Sequence, residues 1–352
     1  MFGKMMNNYY YGKSGKGDYR KEDLPQTRMQ LFWDTLRTRA SGLCRLNLLY
    51  MLIFLPAMIV MVSSFSNVYS GLTSYMMVKE GTYASYVEQL TEAGAEVPIT
   101  EEQFNELAAA DVNLADYLDS SVFRMLLWLI PCLAITGPFT AGLSYVTRNW
   151  ARDEHAFIWS DFRDAVKENW KHGLVLSAIT SVLPLAVYVG YRFYGRMAAN
   201  NVIMVIPQVL VVLIAIIWAL CITYMHPLSV TYDLKMKGIL RNGFLLGIAR
   251  LPFSVGIRLL HCVPLLLTVI AVWFFGLNPM IALLILCGYY VLIGFSLSRF
   301  ITASYTNAVF DRFINPKIEG AKVNQGLRTD DDDDDEEDEE EETSEETKEA
   351  ES

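Results

Sequence analysis

Two ionisable residues stand inside a long apolar run. Arg258 and His261 are three positions apart, so a helix sets them on one face, about one turn from each other. Ionisable groups in that setting mark substrate or ion routes and proton relays. Arg258 lies about one turn inside the run, and its long side chain can snorkel to the headgroups. His261 lies about 9 Å in, at 1.5 Å per residue. It either lines a polar path or bonds a backbone carbonyl. The other histidines carry less. His226 precedes Pro227 and reads as a helix end, while His155 and His172 fall in polar connections.

Catalytic patterns are missing from the sequence. There is no H-E-x-x-H, no G-x-S-x-G and no P-loop lysine motif. Asp153-Glu154 stands beside Arg152 and reads as a solvated salt-bridge face. Cys44, Cys132, Cys221, Cys262 and Cys287 all fall in apolar runs with no C-x-x-C spacing, which suits buried apolar roles. The expectation is a chain that is not an enzyme, with no cofactor, no metal and no nucleic-acid partner.

The elements that position these residues are apolar runs. Six of them, at 44–64, 122–146, 174–191, 202–225, 255–275 and 280–301, are each near the length of about 20 residues that spans a bilayer. The expected fold class is all-α: a polytopic membrane helix bundle of six transmembrane helices within a domain at 44–310, with membrane lipid as its surroundings. About 43 polar or mixed residues precede the first run. A cleavable signal peptide would have a shorter lead, so an uncleaved first helix is expected.

Charge sets the orientation. The net charge is −10, but the 17 acids and one lysine of 330–352 carry −16, which leaves the remainder at +6. Lys and Arg gather before the first run, between the second and third (Arg148, Arg152, Arg163, Lys167, Lys171), between the fourth and fifth (Lys235, Lys237, Arg241, Arg250), and after the sixth (Arg312, Lys317, Lys322, Arg328). The alternate connections hold only Lys79, Arg192 and Arg196. By the positive-inside rule both termini are cytoplasmic. Trp128, Tyr188, Tyr191, Trp218, Tyr224 and Trp273 fall toward run ends, where interfacial aromatics belong.

The connections divide into kinds. In the cytoplasmic N-terminal segment, 1–43, the stretch 27–39 has helical spacing, with Met29, Phe32, Trp33 and Leu36 on one face. It is expected to lie on the inner membrane surface, a plain extension of the first span being the alternative. The extracytoplasmic loop 70–121 is acidic and contains a capping box at Thr100 and Gln103. The inner connection after the second run places Trp159, Phe162, Val166 and Trp170 at helical spacing, opposite a charged side. It reads as an amphipathic cytoplasmic loop helix for a membrane surface or a partner. The stretch 227–254 repeats that layout with Lys235, Lys237 and Arg241. It also bears a faint likeness to the loop by which ABC permeases contact their ATPase, which holds only if it projects as an exposed helix. A cytoplasmic extension, 311–329, leads to the acidic tail 330–352, whose composition predicts disorder.

Several stretches resemble the YesL family of bacterial integral membrane proteins, whose molecular function is unknown. They are Met1-Phe2-Gly3-Lys4, Leu46-Asn47-Leu48-Leu49-Tyr50, Gly137-Pro138-Phe139-Thr140-Ala141, Tyr145-Val146-Thr147-Arg148, Arg152-Asp153-Glu154, Asp161-Phe162 and Lys167-Glu168-Asn169-Trp170-Lys171. Tyr232-Asp233-Leu234, Asn242, Leu251-Pro252 and Phe310-Asp311-Arg312-Phe313-Ile314-Asn315-Pro316 continue the likeness. Typical members join the first two spans more tightly, so 70–121 is a departure. The resemblance implies a bacterial cell membrane protein encoded near carbohydrate ABC-transporter and sensor genes. The expected role is that of an accessory or regulatory partner of such a system, docking on transporter or sensor subunits through the amphipathic inner loops and the N-terminal helix. A transporter or permease-like subunit with a polar route through the bundle is the alternative.

Overall fold

The computed structural model describes residues 25–92, 94–110 and 113–327. The residues before 25 and the acidic tail lie outside the described residues. Helix is the regular structure throughout the described residues. Six helical stretches are long and apolar enough to cross a membrane, one for each apolar run. That layout is what a multi-pass membrane protein requires.

Helix α1, Arg28–Glu80, has 53 residues and is therefore about 80 Å long, well beyond a hydrocarbon core of about 30 Å. Thr27 and Gln30 cap its start reciprocally. Nothing between Arg39 and Cys44 breaks it, so 27–39 is a straight extension of the first span and not a separate surface helix. Its inward face is Leu31 and Thr35, both buried, with Phe32 and Leu36 packed alongside; Met29 and Trp33 point outward.

The segment 70–121 is mostly helical. Two short helices, α2 (Tyr83–Glu92) and α3 (Glu101–Ala109), form a small hairpin before α4, Leu114–Trp150. The Thr100 capping box is present. Tyr83 meets Phe104 edge to face, and Tyr86 packs on Phe104 at a tilt. Lys79 Nζ donates to the carbonyls of Ala108 and Ala110 at 2.8 and 2.7 Å, at the carbonyl-rich end of α3.

Helix α5, Ser160–Ala198, follows a tight turn. The expected amphipathic loop helix is thus the first three turns of the third span. Helices α4 and α5 touch backbone to backbone at Gly137 and Gly173, as small residues allow in membranes. Helix α6, Val205–Thr231, runs through Pro227. Helix α7, Met236–Ala249, folds back along it: Gly243 meets Met225 and Gly247 meets Cys221. The two basic connections therefore differ in shape, and the repeat seen in sequence is not a repeat in structure. Ile239 and Leu246 are buried on α6, so 233–252 does not project as an ATPase-coupling helix would.

Helix α8, Leu251–Phe275, pairs with α9, Pro279–Tyr289, through a left-handed turn at Gly276. A π turn, Tyr290–Gly294, leads into α10, Phe295–Phe313. Asn47 of α1 fills that turn. Its Nδ2 donates to the Tyr290 and Val291 carbonyls at 2.8 Å each, and its Oδ1 accepts from the Ser296 amide at 2.9 Å.

Two apolar cores lie on either side of α10. One joins α1, α4 and the start of α5 around Trp150 and Phe300; the other joins α5, α6 and α7 around Tyr224, Leu228 and Phe310. Both sit toward the end that carries Arg28 and the basic turns, called the basic end below. Tyr224 and Trp218 belong to this core and are not interfacial anchors: the Tyr224 hydroxyl bonds Ser254, and Trp218 Nε1 donates to Thr180. Away from it, large apolar side chains such as Leu213, Leu267 and Trp273 point outward, as lipid-facing surface does.

Candidate functional site

The π turn sets up the most unusual group of side chains. A π turn carries one residue more than an α turn, so it advances everything after it by about 100° around the helix. That rotation turns Arg299 and Thr302 of α10 toward α6 and α8. His261 of α8 donates through Nε2 to the Ser298 carbonyl at 3.1 Å, with Thr302 Oγ1 3.4 Å away. Arg258, one turn earlier on α8, stands within electrostatic range of Arg299. Both arginines act likewise on His226 of α6 and on His261. Tyr50 of α1 stands within electrostatic range of Arg299.

Among the described residues, no carboxylate forms an ion pair with this group. The stretch 202–310 contains a single carboxylate, Asp233, which lies exposed in the turn between α6 and α7. Among the described residues, neither Arg258 nor Arg299 has an ion-pair partner. Arg258 Nε and His226 Nδ1 are buried without a hydrogen-bond partner, His226 being 3% exposed. Arg250, on the same side, is accounted for differently: its guanidinium stacks on Phe253 and Phe313, 4.2 and 5.6 Å from their ring centres.

Sequence spacing points to Arg258 and His261, and the structure brings them to the same cluster. It misses Arg299 and His226. Arg299 carries the same signal, an arginine within an apolar run, but its proximity to the run's end conceals it. His226 is hidden by Pro227, read as a helix stop; α6 continues to Thr231 instead.

A second polar group closes the basic end. Asp311 is buried and accepts from Arg28 Nη2 at 2.5 Å, from the Asn324 amide at 3.2 Å, and from Asn315. The Tyr232 hydroxyl donates to Asn315 at 2.6 Å. Burial pushes the Tyr232 phenol up to about 12, with Asp311 adding to the rise. Arg152 pairs with Glu154 at 3.1 Å and donates to the Lys322 carbonyl, and Asn307 donates to that of Arg148. These contacts tie the start of α1, the turn after α4, the turn after α6 and the end of α10 together. They consume one another's hydrogen bonds, so the group is a clamp.

The surface residues divide. Phe162 is 4% exposed and sits on Gly142, with Val166 beside it. Trp159 and Trp170 are 63% and 47% exposed. The reason is angular: at about 100° per residue, Trp170 is rotated about 80° from Phe162 and Trp159 about 60° the same way. Lys171 lies over the Trp170 ring. Lys235, Lys237 and Arg241 are exposed around the first turns of α7. Among the described residues there is no group of three or more His, Cys, Asp or Glu placed to hold a metal.

A family model described as "Protein of unknown function, DUF624" matches residues 122–191, about a fifth of the chain. The match takes in α4 from its third turn and α5 to near its end, including the Gly137–Gly173 contact and the turn between them. No curated protein and no solved structure matches the chain.

Proposed function

We propose that this chain is a non-enzymatic accessory or regulatory protein of a bacterial cell membrane, acting on a carbohydrate ABC transporter or sensor. Its basic end, with both termini, faces the cytoplasm; the asymmetry of Lys and Arg supports that orientation. The observation that carries the docking role is the outward pair Trp159 and Trp170 on a helix whose inward side is locked on α4. Exposed tryptophans on a rigid element are the residues that anchor interfaces. Lys235, Lys237 and Arg241 add a basic surface, and the neighbouring polar clamp is already satisfied within the chain. The ABC-transporter and sensor association rests on the resemblance to YesL proteins.

The test is affinity capture of the full chain from native membranes, beside a W159A/W170A variant. Recovery of a transporter or sensor subunit with the wild type, and at least fivefold less with the variant, is the expected result. Recovery of no such subunit overturns the reading. A permease-like role is the second reading, and the uncompensated Arg258–Arg299 group favours it. Anion flux into proteoliposomes holding this chain alone would establish that role, and its absence would remove it.

A further inference from the structure

Hydrogen bonds draw together the three helices that carry Arg258, Arg299, His226 and His261: the Tyr224 hydroxyl of α6 bonds Ser254 of α8 and Tyr305 of α10, and His261 of α8 donates to the carbonyl of Ser298, next to Arg299. Snorkelling explains one arginine at a helix end. It does not explain two arginines without an ion-pair partner among the described residues, one of them with a buried and unbonded Nε, on helices packed beside a buried histidine whose Nδ1 has no partner. Like charges at close quarters in a low-dielectric setting repel strongly. Such a group persists in a fold when a counter-charge occupies the space between.

The surroundings define that counter-charge. Two guanidiniums, each carrying five N–H donors and no acceptor, suit a group with several acceptor oxygens. Guanidinium forks match phosphate geometry in particular. The level in the bilayer is also informative. His226 is about five residues from the end of α6, and Arg258 about seven from the start of α8, so both lie roughly 8–10 Å from their helix ends at the basic end. That is the region where phospholipid headgroups meet the apolar core. Leu259, Leu260 and Val263 beside Arg258 point outward, so α8 presents a lipid-facing edge at this level.

We infer that Arg258, Arg299, His226 and His261 form a binding site for a phosphoryl group at the headgroup level of the basic end. Its source is the phosphate of an anionic phospholipid or a soluble phosphate. The site is independent of the docking role: it lies between helices, whereas docking uses Trp159 and Trp170 on the outside.

The experiment measures thermal unfolding of the full-length, delipidated protein in detergent. The probes are dihexanoyl phosphatidylglycerol, inorganic phosphate, and dihexanoylglycerol, which has the tails and no phosphate. The wild type should melt several degrees higher with phosphatidylglycerol and not with dihexanoylglycerol. The half-saturating concentration should rise about tenfold or more in R258Q and in H261Q, as expected for loss of one charge-assisted contact, with R258K between. Should R299Q fail to fold, R258Q and H261Q still decide the matter, since α8 packs loosely there. A matching rise with inorganic phosphate assigns a soluble source; a rise with the lipid alone assigns the headgroup. Equal stabilisation by dihexanoylglycerol, a rise that survives unchanged in R258Q and H261Q, or no rise with either phosphate compound overturns the inference.

Discussion

Asn47 of α1 accepts a hydrogen bond from the backbone amide of Ser296, the second residue after the π turn. The same side chain donates to the carbonyls of Tyr290 and Val291. A π turn leaves backbone groups without their usual helical partners, and no water is at hand in a bilayer core. One fully buried amide satisfies three of them. N47A strands those groups and should lower stability by about 3 kcal/mol, read as thermal or denaturant unfolding in detergent. N47D keeps only the acceptor and should fare no better. An N47A variant within about 0.5 kcal/mol of the wild type would mean the turn relaxes to α-helix without penalty.

The Gly137–Gly173 contact makes a packing prediction with an internal control. A Cβ on either residue lands on the other's backbone, which has no flexible side chain to move aside. G137A and G173A should each destabilise by about 2–3 kcal/mol through overpacking. Gly256 on α8 has nothing within 4 Å of such a Cβ. G256A should be neutral or stabilising by about 0.5–1 kcal/mol from helix propensity. Melting curves of the three variants check the contrast.

The Arg28–Asp311 pair is unequal, with side-chain exposures of 27% and 4%. D311A removes the acceptor shared by Arg28, Asn315 and the Asn324 amide, and should cost about 3 kcal/mol. R28M leaves Asp311 its other two donors and should cost less, about 1–2 kcal/mol. A double-mutant cycle on unfolding free energies measures the coupling.

Orientation is open to cysteine labelling. In a cysteine-free background, E102C on α3 should react with a membrane-impermeant maleimide in intact cells. K322C should react only after the cells are opened. The reverse pattern would place the basic end outside.

Tyr232 supplies a pH dependence. Its folded value of about 12 lies above the unfolded value of about 10. The raised acid contributes stability that is full below pH about 10 and lost as pH rises toward 12. Y232F should be less steeply destabilised across that window. Unfolding midpoints at about pH 9, 10.5 and 12, roughly spanning the window, would show it.

Much of the layout is legible in the residues. Each of the six apolar runs lies in a spanning helix, because long uncharged stretches have no other low-energy home than lipid or a helix core. The Thr100 and Gln103 box also appears where the spacing puts it, since capping is a local matter of a few side chains. Connections are less legible. A charged, amphipathic stretch looks alike whether it lies on a membrane or prolongs a span, and only an uninterrupted backbone shows that 27–39 and 160–171 are prolongations. Trp159, Phe162, Val166 and Trp170 read as one stripe, yet the wheel turns about 80° from the second to the last, and half of the stripe comes out exposed.

By itself, then, the sequence determined the number of spanning helices, the charge asymmetry between their ends and the two ionisable residues on α8. Those are properties of composition along a line. Tertiary structure alone decided that Arg299 and His226 join Arg258 and His261. Their meeting depends on a π turn that rotates α10, and on Asn47, 243 residues away from Tyr290 in the chain, which holds that turn open. No local pattern encodes a contact of that kind. It exists only once α1 and α10 pack together and leave buried backbone groups to be satisfied.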